Sequence, residues 1–471
     1  MKTLVKNGTI VTAEASFKAD ILIEGEVITQ IGESIQTDEG RVIDAQDKLI
    51  LPGGVDPHVH LHLEMAGTIS SDDYYTGGKA AAFGGTTTVI DFVSQGPGSL
   101  EESVQAHRRF ADATTCIDYS SHMNITRFDD QVADQIVDLP ALGITTIKVF
   151  TAYNDRLRIN DGEVFKAMRV AGQNDILTMV HAENGDVIDL LINEALQAGH
   201  TEPIWHALTR PGWGAVEASL RAFALAAQAD APVYLVHMNM AGEVDQLKYA
   251  RSKGIYAMGE TCPQYLFFTE ENLQQADGAK WICSPPMRSK DDNMGLWQGL
   301  QDGTIQVLAT DHCPFFFNGQ NPIEYEGSFV AIPGKELGKD DFSKIPNGLP
   351  GVGDRLPVFW THAVTTGRIS PERFVALTST NPAKIFGLYP QKGSLQPGSD
   401  ADIAIWDPDL SIKYGAKVAR HRTDYNLFEG WNLKGMPVLV MQRGEILVDH
   451  GSWYGMPGKG KFLHRISGEV L

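Results

Sequence analysis

TTTVIDFV, residues 86–93, is a short, apolar, β-branched run. It is followed by LEESVQAHRRFADA (100–113), whose charged and apolar residues are spaced as on an amphipathic helix. The pairing recurs down the chain. Strand-like runs stand at TTIKVF (145–150), ILTMVHAE (176–183), PVYLVHM (232–238), GIYAMGETC (254–262) and TIQVLATDH (304–312), with helical stretches such as AVEASLRAFALAAQ (215–228) between them. Runs of this kind read as parallel strands buried on both faces. Six or more such units favour an α/β fold of the (β/α)8 barrel type over a doubly wound sheet. No glycine-rich phosphate loop follows the first of these strands, which weakens a nucleotide-binding alternative.

The two ends of the chain have a different texture. LVKNGTIV (4–11), ADILIEGEVITQIG (19–32) and VIDAQDKLILPGG (42–54) alternate apolar with polar residues and carry glycine turns, as do ADIAIWDP (401–408) and PVLVMQRGEILVDHG (437–451). They are expected to form one small β-sandwich domain from both termini. The expected divisions are 1–52 and 386–454 for that domain, 53–385 for the barrel and 455–471 for a tail. Residues 318–346 read as a polar, irregular connection, a lid or an insertion. The Gly- and Lys-rich tail is either loose or packed against another subunit.

The chain has 471 residues, 39 Lys+Arg against 59 Asp+Glu, and a formal charge of -20. So acidic a protein is a poor partner for a phosphate backbone, and no nucleic-acid role is expected. The most apolar stretch, 219–238, is interrupted by Arg221, Gln228, Asp230 and Pro232, so no membrane span is expected. The N-terminus has no secretory pattern. Cys116, Cys262, Cys283 and Cys313 have no CxxC spacing, which fits reduced thiols in a cytoplasmic protein.

The chemistry is carried by polar residues that close the apolar strands: His58 and His60 in GGVDPHVHLH, Lys148, His181, His237 and Asp311. Strand ends at the top of a barrel converge on one point, where barrel active sites sit. Residues two apart on an extended segment point the same way, so His58 and His60 can reach one metal ion. Lys148 fits that setting poorly as a buried ammonium. It resolves either as a neutral amine or as a carbamate, an anion with two oxygens able to bridge two dications. His62 reads as a supporting or loop residue, and His122, ending a possible strand CIDYSSHM, as a weaker site candidate. His312 is expected to point away from the Asp311 side, and Cys313 to be a small hydrophobe.

The set GxxDPHVH, IKVF, VHAE, VHM and ATDHCPF resembles the cyclic amidohydrolases. The pieces KVFTAY (148–153), ETCPQYL (260–266), SPPMR (284–288), DHCPF (311–315) and GKDDFSKIPNGLPG (338–351) resemble its hydantoinase/dihydropyrimidinase branch, across essentially the whole chain. The resemblance implies two divalent metal ions, zinc by ligand type with manganese, cobalt or nickel as alternatives. One would sit on His58, His60, carbamylated Lys148 and Asp311, the other on the same carbamate with His181 and His237. It implies Asp311 as proton carrier, Tyr153 as oxyanion donor, and Ser284 and Asn347 at the imide edge of a small cyclic amide. Ring opening would yield N-carbamoyl amino acids. A homotetramer or homodimer is implied as well.

Two departures from the family pattern fall near the expected pocket. LHLEMAGTISSDDYY (61–75) is shorter and lacks a Pro-aromatic pair, and NPIEYEGSFVAIPG (321–334) is an insertion, lid or decoration. The alternative enzyme reading is an allantoinase or dihydroorotase type. A non-enzymatic scaffold with this fold would lack metal ligands, and none of the six positions is missing here.

Overall fold

Eight parallel strands follow one another in sequence order: β1 Gly54–Val59, β2 Thr86–Val93, β3 Asp118–Asn124, β4 Thr146–Phe150, β5 Leu177–His181, β6 Val233–Leu235, β7 Ala257–Thr261 and β8 Val307–Leu308. The circuit closes just beyond β8, where a parallel bridge joins Val59 to His312 and the His60 amide donates to the His312 carbonyl at 2.7 Å. The structure, a computed structural model, describes residues 2–37, 39–65, 67–319, 322–325 and 328–471. Among them no helix is long and apolar enough to cross a membrane.

Strand periodicity explains why the barrel holds both a dry core and a polar site. On β5, Leu177 and Met179 point into the barrel, while Val180 joins the layer under the helices. On β2, Ile90 and Phe92 point in, and Val89 and Val93 point out. Val55, Tyr234, Met258 and Val307 complete the inner layer, with Phe386 below it. On β5 and β7 the next inward position is polar, His181 after Met179 and Glu260 after Met258. Helix starts are well specified: Ser99 and Asn160 cap Leu100–Thr114 and Asp161–Gln173, each in a capping box with the glutamate three residues on.

The chain ends meet in one β domain. A seven-stranded sheet places Leu49–Pro52 antiparallel to Ile403–Lys413, so both termini share a ladder. A four-stranded sheet built from Lys2–Lys6, Asp20–Glu24, Val27–Gly32 and Arg41–Asp44 lies across from it. Val5, Ile21 and Ile23 of one sheet pack with Ile10, Ile50, Ile403 and Met441 of the other.

Two expectations change. The tail is not loose: backbone hydrogen bonds tie it to the barrel, while most of its residues stay exposed. The Tyr119 amide donates to the Lys461 carbonyl at 3.0 Å, and the Leu463 amide donates to the Tyr119 carbonyl at 2.7 Å. Leu463 enters the inner core. Buried Arg465 donates to Ser120 Oγ at 3.0 Å and Thr146 Oγ1 at 2.8 Å. Two anchoring side chains among many glycines and lysines are a weak pattern in one dimension, but they plug the lower end of the barrel. The 318–346 connection is also more regular than expected. Pro322–Tyr325 pairs with Ser328–Ala331 as a hairpin, and short 3-10 turns follow at Lys335–Gly338 and Phe342–Lys344. Ile323 and Ile332 bury themselves with Phe316 against Ile69. Asn321, Glu326 and Gly327 of the insertion, and Ala66 of the shortened loop, lie outside the described residues.

Candidate active site

His58 on β1 and His60 just after it both point Nε2 at Asp311 Oδ1, at 3.1 and 3.2 Å. Ligand atoms of these three residues lie within 4.8 Å of one another, close enough to share one cation. Lys148 Nζ, from β4, stands 3.1 Å from His58 Nε2. His181, ending β5, faces His237 with Nδ1 to Nε2 at 2.9 Å. All six sequence candidates therefore meet at the C-terminal mouth of the barrel. Phe92 forms the floor, with its ring centroid 4.7 Å from His58, 4.8 Å from His60 and 4.2 Å from Lys148 Nζ.

Burial sets the electrostatics. It lowers the Lys148 pKa to about 8 and that of His60 to about 4, and it pushes His237 well down. Asp311 behaves in the opposite way. Burial would raise it, but the surrounding imidazoles, His58 first, hold it well below the usual carboxylate range.

Three members of the site, Tyr153, His237 and Asp311, have left-handed backbone, with φ of 66°, 38° and 55°. Each such non-glycine residue costs on the order of 1 kcal/mol, and such strain clusters at functional sites. Tyr153 is anchored by its carbonyl, which accepts from the amides of Leu157 and Arg158 at 3.0 and 3.2 Å. Its ring lies 5.0 Å from that of His181. Burial keeps its phenol protonated far above the usual range. Ser284 and Asn347 come from separate loops and are joined directly, Asn347 Nδ2 donating to Ser284 Oγ at 3.1 Å.

A cavity of 280 Å³ opens above these groups, bounded by His60, Lys148, Tyr153, Ser284, Asp311 and Asn347. The 61–75 loop supplies Leu63, Glu64 and Met65 to its wall. No described residue of the 322–331 hairpin reaches it. The hairpin packs behind that loop, with Thr68 Oγ1 donating to the Pro333 carbonyl at 2.5 Å.

The other histidines take different places. His62 stacks on Phe110 at 4.1 Å, and His122 pairs with Thr146 Oγ1 and, at 2.9 Å, with the Pro57 carbonyl. His312 turns away to Asp72, at 3.3 Å, and accepts from the Gly351 amide at 3.0 Å. Cys313 is buried, with its thiol pushed well up by burial.

Sequence reasoning missed two carboxylates. Glu260, at the end of β7 and fully buried, bonds His58 Nδ1 and accepts from Tyr234 Oη at 2.9 Å and from the His237 amide at 3.3 Å. Glu183 Oε2 lies 2.9 Å from His181 Nε2. Each leaves the opposite ring nitrogen facing the centre, the arrangement by which outer carboxylates orient metal-ligating histidines. The strand-end rule that found the ligands also reaches Glu260 in ETCPQYL. Arg156, at the cavity wall, was missed too.

A second acidic group, Asp118, Asp400 and Asp402, is also spaced for a cation. Its centre is taken by the Lys392 ammonium, at 2.7, 2.9 and 2.9 Å from the three carboxylates.

Comparison with known proteins agrees with this geometry. Residues 49–447 match the model of the amidohydrolase family. The chain is 42% identical over 469 residues to a D-hydantoinase of Geobacillus stearothermophilus, covering 99% of this chain and 97% of that protein. The crystal structure of dihydropyrimidinase from Brevibacillus agri superposes with a TM-score of 0.95 at 41% identity, over 100% of both chains. An L-hydantoinase (dihydropyrimidinase) from Arthrobacter aurescens superposes at 0.87 with 29% identity, over 98% of this chain and 99% of that one. A family match across most of its length, together with end-to-end likeness to these enzymes, places the chain in the amidohydrolase family, within the hydantoinase/dihydropyrimidinase branch.

Proposed function

We propose that the chain is a binuclear metal-dependent hydrolase that opens the ring amide of hydantoins or dihydropyrimidines and releases N-carbamoyl amino acids. The observation that carries this reading is the convergence of four imidazoles, one carboxylate and one buried amine at the barrel mouth, beneath a cavity of 280 Å³. The donor set fits two divalent cations, with zinc preferred and manganese, cobalt or nickel as alternatives. His58, His60 and Asp311 would hold one, His181 and His237 the other, and a carbamate on Lys148 would serve both. When bound, the cations supply Lewis acidity and activate water at neutral pH.

The chain's own groups do the rest. The Asp311 carboxylate takes a proton from the attacking water and returns it to the ring nitrogen as the C–N bond breaks. The Tyr153 hydroxyl, kept neutral by burial, donates to the oxygen on which negative charge develops. The Ser284 and Asn347 loops hold the imide edge. Leu63, Met65, Phe150 and Leu157 offer apolar wall to the ring substituent. Among the described residues of that wall, Arg156 favours an acidic ring, as in the dihydroorotase alternative.

The four cysteines are free and buried, which fits the reducing cytoplasm. Exposed Val187, Leu190, Leu208 and Trp213, on helices close in sequence, support assembly into a homodimer or homotetramer.

The test is ring opening of dihydrouracil beside 5-phenylhydantoin, on protein loaded with Zn(II) or Mn(II) in bicarbonate. Turnover of either, abolished by a chelator, is expected, and the ratio reports which ring the shortened loop accepts. Turnover only of allantoin or dihydroorotate would move the assignment to the alternative branch. No turnover and no bound metal would refute the site.

A further inference from the structure

Lys335 is 1% exposed, and no carboxylate pairs with it among the described residues. The ionisable groups that bear on it are the thiols of Cys283 and Cys313. Burying an amine in this way is costly, and a methionine would fill the same space without that cost. What the amine adds is a pair of hydrogen bonds. Lys335 Nζ donates to the Ile282 carbonyl at 2.9 Å and to the Pro346 carbonyl at 3.1 Å. Ile282 lies two residues before Ser284, and Pro346 immediately precedes Asn347. The same Ile282 carbonyl accepts the Gly348 amide at 3.2 Å.

The base of the lysine is itself fixed. Its amide donates to the Phe316 carbonyl at 2.8 Å. The next residue, Glu336, accepts the Gly319 and Gly334 amides on one oxygen, each at 2.9 Å. That clamp closes the neck of the inserted hairpin beside the lysine.

We propose that Lys335 is a positioning residue: its amine ties the loop before Ser284 to the loop before Asn347 and so sets the spacing of the two groups that receive the substrate's imide edge. This rests on the reading of Ser284 and Asn347 given above. A site whose supporting groups are lost binds loosely, and small misplacements are expensive. Lys335 touches neither the metal ligands nor Asp311 in any contact described, so its effect belongs in substrate binding more than in turnover.

The experiment compares metal-loaded wild type with Lys335→Met and Lys335→Gln, on both rings. Lys335→Met should keep its metal content and thermal midpoint, hold kcat within a few-fold and raise KM by about tenfold to a hundredfold. Lys335→Gln, whose shorter amide reaches one carbonyl at most, should fall between, and it carries the test if the methionine variant is insoluble. Combined with Asn347→Ala, the KM penalties should be less than additive, because both act through one loop. An unchanged KM in an active, metal-replete variant would overturn the proposal, as would fully additive penalties. A wild type inactive on both rings would overturn the functional reading and this proposal with it.

Discussion

Glu260 offers the sharpest check on how the histidines are held. It bonds three donors from two strands: His58 Nδ1 of β1, and Tyr234 Oη and the His237 amide of β6 and the residues just after it. In Glu260→Gln the amide oxygen can still receive His58 and His237 while its NH2 faces Tyr234, so the His58 tautomer survives and only charge is lost. A hydrogen bond to a charged group exceeds a neutral one by about 1 kcal/mol, which corresponds to roughly fivefold in metal affinity. In Glu260→Ala the three donors lose their acceptor, and His58 is free to protonate the wrong nitrogen. Each buried unsatisfied donor costs about 1–3 kcal/mol. Loss of an outer-shell partner weakens metal binding by about 10–100-fold. The assay is chelator competition, read as metal bound per chain, with thermal unfolding run alongside. One equivalent should weaken about fivefold in the glutamine variant and at least tenfold in the alanine variant. Glu260→Ala that folds and binds metal as tightly as wild type would refute the orienting role.

Two further outcomes follow from the site. Lys148→Ala should lose most bound metal and activity and recover part of both when short carboxylic acids are added. Metal analysis showing full content would remove the bridging role. Asp311→Asn should still bind the ring but turn it over on the order of a hundredfold more slowly, the usual contribution of a general acid–base group. An unchanged kcat in steady-state assays would take Asp311 out of proton transfer.

The metal-ligand candidates were legible because they close apolar runs, His58 and His60 sharing one. On β5 the inward positions are Leu177, Met179 and His181, and a period of two carries the eye from dry core to ligand. Lys148 on β4 likewise alternates with outward Ile147 and Val149, whereas on β1 the step from inward Val55 to His58 is three residues, across a register irregularity. Glu260 ends β7 by the same rule, yet carboxylates are common at loop starts and nothing local marks this one. β8 is the weakest signal: TIQVLATDH spans nine residues, but only Val307–Leu308 are laddered. The barrel closes there through Val59 and His312 instead, a contact between residues far apart in sequence.

The sequence by itself determined the repeating strand–helix units, the β character of both ends and the six polar strand ends, because burial and backbone periodicity are written locally. Only the tertiary structure decided which residues stand behind them. The tail plugs the barrel through Arg465, Glu260 and Glu183 orient the imidazoles, the 322–331 hairpin backs the 61–75 loop, and Lys335 joins two loops through their carbonyls. All of these except Glu183, which is two residues from His181, depend on a partner brought close by the closed circuit of the chain, and a hydrogen bond to a backbone carbonyl leaves no mark on the residue that accepts it.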